Sequence, residues 1–417
     1  MDSLAGEESG KAGAGCVIIG AGLAAAHAVQ SLRERNYRGA IILIGEEPER
    51  PYERPPLSKE YLQGSKPREE VFVHAADWYE QHRVTTRFGT RVESIDTEAK
   101  KVRLSGGEEL DYEALILATG SRPRIPGKMP GAKLPGVHYL RTLADSEALR
   151  EQFKPGARLA IVGSGWIGLE IAASARQAGV EVTVVAPEHL PLERILGETI
   201  GGYLAELHRR NGVDLHLGTS VEGIIERNGR AAGLHTSAGD VEADLVLVAI
   251  GAMPNTELAE AAGLEIDNGV VVDSRLRTLD SSVFAIGDVA NAWNTLRGER
   301  LRVEHWDNAI RQGKLVAGSI LEGIEDYAWQ PYFFTDQFDL GMEYVGRSAP
   351  SDEVLIRGNL ADGAFIAFWL ADGVISAAMN VNTWDVNDAL RALVGKAIPA
   401  GRLTDLAIGL EELNDGI

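Results

Sequence analysis

The 417-residue chain holds a single cysteine, Cys16. No disulfide can form within it, and a redox-active dithiol is excluded because that chemistry needs two thiols. Basic residues are also in short supply: 41 Lys and Arg stand against 61 Asp and Glu, for a formal net charge of −20. Such a balance argues against nucleic acid and against an anionic membrane surface as partners, while leaving room for a local basic patch. No uninterrupted apolar run reaches the ~18 residues of a spanning helix. The opening stretch MDSLAGEESGKAGAG lacks the basic and apolar regions of a signal peptide, and residues 1–14 read as a disordered tail. Together these shortages point to a reducing, cytoplasmic setting. No residue cluster suggests a metal site.

Glycine, by contrast, is abundant, with 47 residues against the usual ~7% share. The glycines form no repeat and mark tight turns. The length suggests two or three domains.

The first informative stretch is GCVIIGAGLAAAHAVQSLRERNYRGAIILIGEE. A short apolar run, Cys16 to Ile19, reads as a strand, and Leu23, Ala26, Val29 and Leu32 follow helical spacing. Ile41 to Ile44 form a second strand. Between the first strand and the helix stands Gly20-Ala-Gly22-Leu-Ala-Ala25. Gly20 permits the turn, Gly22 lets the backbone approach a pyrophosphate, and Ala25 replaces a third glycine where helix and strand pack closely. The phosphates would sit at the helix N-terminus, where free N–H groups and the helix dipole favour anions. Glu46 or Glu47, just past the second strand, is placed to bond a ribose hydroxyl.

ARLAIVGSGWIGLEIAASARQAGVEVTVVAPEH repeats the plan. Leu159 to Val162 is the strand, Gly163-Ser-Gly165-Trp-Ile167-Gly168 the turn from which the helix begins, and Val182 to Val185 the next strand. Two such units mean two nucleotides. Glu170 stands two residues past Gly168 and is expected in the first turn, beside a pyrophosphate. Ala186 occupies the usual place of the ribose acid, and Glu188 can serve instead. Only Arg194 lies near to hold a 2′-phosphate, so NADH is favoured over NADPH.

Leu110 to Arg124 is an apolar strand running into Ala118-Thr119-Gly120 and prolines, and Leu245 to Asn255 repeats that plan. Each closes a nucleotide domain. The second unit is therefore inserted into the first, which resumes at Thr278 to Asp288 with a strand, a glycine, and Asp288 poised for a ribityl or phosphate group. From about Tyr327 the chain alternates apolar and polar residues as antiparallel strands do, and Val386 to Gly395 reads as a short amphipathic helix.

These elements in this order resemble the two-dinucleotide-binding flavoprotein family. ERPPLSKEYL, YLRTL, GSGWIGLEIA and EHWDNAIRQG resemble its ferredoxin-reductase branch, to which apoptosis-inducing factor is related. The resemblance implies an α/β fold with two Rossmann-like, glutathione-reductase-like nucleotide domains and a C-terminal α+β domain. Its boundaries would be 15–124 with 256–326 for FAD, 125–255 for NAD, and 327–417 for the C-terminal domain.

The same resemblance implies site residues. Ala24, Glu46, Glu47, Arg54, Lys59, Val92, Arg124, Arg141, Asp288 and Trp306 match flavin-contacting positions, with Ala118 at the strand's end. Glu170, His189, Gly251, Glu304 and Glu343 match nicotinamide-cofactor positions, beside the turn residues Gly163, Gly165, Ile167 and Gly168 and the acid Glu188. Glu304, His305 and Trp306 begin a helix whose N-terminus would face the flavin's pyrimidine end, where reduced flavin is anionic. The family pairs Lys59 with the carboxylate that Glu170 matches, close to flavin N5, and these two are the catalytic candidates. Phe334 stands where several relatives carry tryptophan.

The implied activity is an FAD-dependent NADH:ferredoxin oxidoreductase, passing electrons to a [2Fe–2S] ferredoxin or a rubredoxin of an oxygenase system. Without a dithiol, electrons must leave the flavin directly. A second reading is an NADH oxidoreductase like apoptosis-inducing factor, with a signalling or assembly role. Arg297, Arg300, Arg302 and Arg311 form the local positive cluster where an acidic partner would dock on a monomer or homodimer.

Overall fold

The structure, a computed structural model, describes residues 15–414; the expected tail over residues 1–14 lies outside them. The described residues fall into two compact units. The first takes in the described part of Met1–Glu53 with Phe72–Ser121 and Pro254–Trp329, and the second Arg54–Val71, Arg122–Met253 and the described part of Gln330–Ile417.

The first unit is built on a parallel sheet in the order Val84–Arg87, Ile41–Ile44, Gly15–Ile19, Glu109–Leu117, Val283–Ala285. Lys101–Leu104 and Val92–Asp96 add an antiparallel meander to Glu109–Leu117. The central strand, Gly15–Ile19, is buried at every residue, as a strand covered on both faces must be. Two helices share its core cluster. Leu23–Glu34 buries Leu23, Ala25, Val29 and Leu32, and Trp306–Ile320 buries Ala309, Leu315 and Val316. These helices approach closely because their contact residues are small: a Cβ on Gly313 would stand 2.5 Å from the Ala24 carbonyl oxygen. A small sheet of Val270–Val272, Ala290–Asn294 and Glu299–Leu301 completes the unit.

The second unit repeats the parallel plan, in the order Val213–Leu217, Glu181–Ala186, Arg158–Val162, Leu245–Val248, Val137–His138. Its C-terminal part is a five-stranded antiparallel sheet in the order Tyr332–Gln337, Leu340–Gly346, Val374–Val381, Ala364–Ala371, Glu353–Asn359. The sequence reading expects these strands to alternate between core and solvent. Ala364–Ala371 is instead buried over its six inner residues, because both faces are covered. Phe365, Ala367 and Trp369 pack with Leu196, Ile200 and Leu204 of the helix Glu193–Arg210. Ile366, Phe368 and Leu370 pack with Leu390, Leu393 and Leu403 of the short helices Asn387–Leu393 and Ala400–Thr404. Among the described residues, no helix is long and apolar enough to cross a membrane.

Candidate functional site

The two glycine turns share one geometry. Gly20 and Gly163 both hold φ at +104°, in the region that side chains avoid. A Cβ at Gly20 would lie 2.1 Å from the Ala118 carbonyl oxygen, and one at Gly163 would lie 2.5 Å from that of Ala249. Each glycine N–H bonds the end of the second strand, Gly20 to Ile44 and Gly163 to Val185. Gly22 and Gly165 are the N-caps of the helices that follow; neither helix has a side-chain cap or an acid in its first turn. A Cβ at either glycine would meet nothing within 4 Å. The first-turn amides of both helices thus lack side-chain caps beneath an open approach, which fits a dinucleotide pyrophosphate.

Around the first turn, Ala24 and Ala118 are buried, and Gly287 brings Asp288 to the sheet's end. The Gly287 N–H donates to Gln312 Oε1 at 2.7 Å, and Ser121 donates to Asp288 Oδ2 at 2.8 Å. The two candidate ribose acids differ. Glu47 accepts from the Tyr52 hydroxyl at 2.6 Å, whereas Glu46 points outward, 3.8 Å from Arg91. Val92 is buried at the start of its strand. His305 caps the helix Trp306–Ile320, its Nδ1 accepting from the Asp307 N–H. Glu304 accepts from Arg302, which also donates to the Asp288 carbonyl oxygen at 3.2 Å.

Four other flavin-side candidates, Arg54, Lys59, Arg124 and Arg141, belong to the second unit. Arg54 donates to the Arg141 carbonyl oxygen, and the Arg141 N–H donates to Asp145 in the capping box of the next helix. The Arg124 N–H donates to the carbonyl oxygen of Gly251, whose φ is +99°. At the end of Glu181–Ala186, Glu188 is ion-paired with Arg194 at 3.4 Å, and the His189 N–H donates to Glu193. Glu343 accepts from the Tyr332 hydroxyl and from Asn380.

Glu170 requires a correction. The second helix begins at Trp166, because Gly165 is its cap, so Glu170 lies in the second turn and not the first. Gly168 falls inside the first turn, where a Cβ would press to 2.5 Å on the Gly163 carbonyl oxygen, while Ile167 is exposed. From the second turn Glu170 points inward and is 5% exposed. Its Oε1 lies 3.3 Å from Lys59 Nζ, and both side chains are 6% exposed. Ser58 donates to Oε2, and Thr335 donates to Oε1 at 2.6 Å. Lys59 Nζ also stands 4.8 Å from the centre of the Phe334 ring. A buried ion pair ringed by donors is costly to assemble and is a mark of function more than of stability.

Sequence reasoning missed Ser58 and Thr335, which bond Glu170, and Gln337 and His208, which stand behind Thr335. The signal for two of them was available: Thr335 and Gln337 are polar residues two apart in the strand that opens Tyr332-Phe333-Phe334, hence on one face. Cys16, the lone thiol, is wholly buried, and burial pushes it up to about 12.

Residues 15–313 match the family model described as pyridine nucleotide-disulphide oxidoreductase, and residues 332–414 match the one described as reductase C-terminal. The chain is 42% identical over 398 residues to the ferredoxin–NAD(+) reductase component of an anthranilate 1,2-dioxygenase system from Burkholderia cepacia, covering 95% of this chain and 98% of that protein. It is 39% identical to rhodocoxin reductase of Rhodococcus erythropolis, with 92% and 90% covered. The reductase chain of a covalent putidaredoxin reductase–putidaredoxin complex overlays it with a TM-score of 0.92 at 34% identity, covering 96% of this chain and 98% of that one. The chain is therefore a member of the pyridine nucleotide-disulphide oxidoreductase family, with the reductase C-terminal domain of its ferredoxin-reducing relatives.

Proposed function

We propose that the protein is an NADH-dependent, FAD-containing reductase that passes electrons to a small iron–sulfur protein of an oxygenase system. The observation that carries this reading is the doubled glycine turn, open over Gly22 and over Gly165. The first turn, with Glu47 and Asp288, holds FAD, and the second, with Glu188, holds NADH. FAD when bound supplies the exchange between two-electron and one-electron chemistry. Lys59 and Glu170 orient the nicotinamide for hydride delivery, with Glu170 fixed by Ser58 and Thr335. Cys16 offers no thiol route, because it is wholly buried and has no partner cysteine. The acceptor is therefore reduced by the flavin directly. The relatives named above support this reading over one resembling apoptosis-inducing factor.

The pairing of Glu188 with Arg194 leaves an acid at the ribose position and its arginine already engaged, which favours NADH over NADPH. Docking is assigned to the strand pair Ala290–Asn294 and Glu299–Leu301 and the head of the next helix. Arg297, Arg302 and Arg311 there are paired with Glu299, Glu304 and Asp307. Arg300 instead donates to the carbonyl oxygens of Val272 and Asn291, so among the described residues its charge is the one of the four without an acid partner. Trp293, 39% exposed, is opposite Arg300 across the strand pair, and an arginine beside an exposed aromatic is a frequent interface pairing. The working setting of such a reductase is the cytoplasm. Anaerobic mixing of the purified protein with NADH, followed by a [2Fe–2S] ferredoxin, tests the proposal: flavin bleaching and then ferredoxin reduction is expected.

A further inference from the structure

We infer that His208 is a positioning residue for Glu170, acting through Gln337 and Thr335; this inference rests on the reading of Lys59 and Glu170 as the nicotinamide-orienting pair. His208 lies on the helix Glu193–Arg210 and is fully buried. Its Nε2 is 2.8 Å from Gln337 Oε1. Gln337 Nε2 donates to Thr335 Oγ1 at 3.1 Å, and the Thr335 hydroxyl donates to Glu170 Oε1 at 2.6 Å. Thr335 and Gln337 are 0% and 1% exposed, so no member of the chain is bathed by bulk water. The relay joins a helix, a strand of the C-terminal sheet and the second glycine-turn helix, all within one unit.

The direction of every proton in this chain follows from its carboxylate end. Glu170 paired with Lys59 is an anion and can only accept, so Thr335 must donate to it. Thr335 Oγ1 must then accept from Gln337, which turns the Gln337 amide so that Nε2 faces Thr335 and Oε1 faces His208. An amide oxygen can only accept, so His208 must carry its proton on Nε2. Burial lowers His208 to about 4, which leaves it neutral with that single proton, and its buried Nδ1 has no hydrogen-bond partner among the described residues. An orphaned buried nitrogen is costly, and a residue serving packing alone has no need of one. The imidazole thus sets the amide, the amide sets the hydroxyl, and the hydroxyl fixes one oxygen of Glu170 while Lys59 approaches the same oxygen.

The test uses the full-length holoprotein and rapid-mixing measurement of flavin reduction by NADH. His208→Leu and Gln337→Met remove the relay while keeping an apolar or isosteric filling. Each should slow reduction by about 3- to 10-fold, the range for one lost hydrogen bond. His208→Gln, which keeps an N–H donor, should recover most of the rate. In a Glu170→Gln background, His208→Leu should have no further effect, because its target is already gone. The inference is overturned if His208→Leu slows both backgrounds equally, since a structural role alone would do so, or if Gln337→Met leaves the rate unchanged while Glu170→Gln lowers it. If Glu170→Gln itself has no effect, the reading of the Lys59–Glu170 pair falls, and the relay with it.

Discussion

Lys59 Nζ and Glu170 Oε1 lie 3.3 Å apart with both side chains 94% removed from solvent, so neither charge can be deleted without stranding the other. Removing one member of a buried pair typically costs about 3–5 kcal/mol, whereas neutral replacement of both costs far less. Lys59→Met and Glu170→Gln should therefore each lower the melting temperature and slow reduction by NADH. The double variant should be more stable than the sum of the two losses allows. Thermal unfolding and rapid mixing on the four proteins check this; strictly additive losses would show that the two charges do not interact.

The glycine turns separate folding from ligand binding. Gly20→Ala sets a Cβ against the Ala118 carbonyl at a φ of +104° and should destabilise the first unit. Gly22→Ala has an ordinary φ and open space, so it should fold normally yet purify with little flavin, because its methyl intrudes where the pyrophosphate approaches. Gly165→Ala should keep its flavin and raise KM for NADH. Flavin content by absorbance, with unfolding curves, distinguishes the three. Full flavin content in Gly22→Ala would move the FAD away from this turn.

Acid should loosen the second unit through His208. Its imidazole, lowered from 6.5 to about 4 by burial, is neutral in the folded chain but protonates near 6.5 when unfolded. The unfolded chain binds the extra proton between these values, so stability is full above 6.5 and falls as pH drops toward 4. The whole effect is roughly 3 kcal/mol, of which about 1 kcal/mol is lost by pH 5.5. His208→Gln should show a smaller drop in melting temperature between pH 7.5 and 5.5 than the parent chain. Equal drops would place the acid sensitivity on other groups, His27 among them, which burial also lowers to about 4.

Docking should depend on Arg300 more than on the arginines already paired with acids. Arg300→Glu should slow ferredoxin reduction several-fold at low salt and leave flavin reduction by NADH unchanged. The difference should shrink as salt screens the charge. Measuring both half-reactions across ionic strength tests this. A fall in both together would mean that Arg300 serves the fold through Val272 and Asn291.

What could be read from the sequence was local. Gly20, Gly22, Gly163 and Gly165 announce themselves because a turn, a close approach and a helix start each demand glycine at fixed spacing. Ile41–Ile44 is bounded by turn residues on both sides. The surroundings of Glu170 were not legible, because they come from far along the chain: Ser58 is 112 residues away and Thr335 is 165. Its place in the second turn hinges on which glycine caps the helix, and Gly165 and Gly168 are both permitted by spacing alone. The segment Arg54–Val71 carries Lys59 into the second unit, although it lies within the sequence of the first. No composition or periodicity reports that exchange. Nor does the apolar run Ala364–Ala371 reveal that helices cover both faces of its sheet.

The most direct test of the account is the path of electrons out of the protein. Under anaerobic conditions, one equivalent of NADH should bleach the bound flavin. Adding a [2Fe–2S] ferredoxin should then restore the flavin spectrum while reducing two ferredoxins, and alkylating agents should leave both steps unchanged because Cys16 is buried. Bleaching by NADH with no electron delivered to any ferredoxin or rubredoxin, or delivery abolished by thiol alkylation, would contradict it.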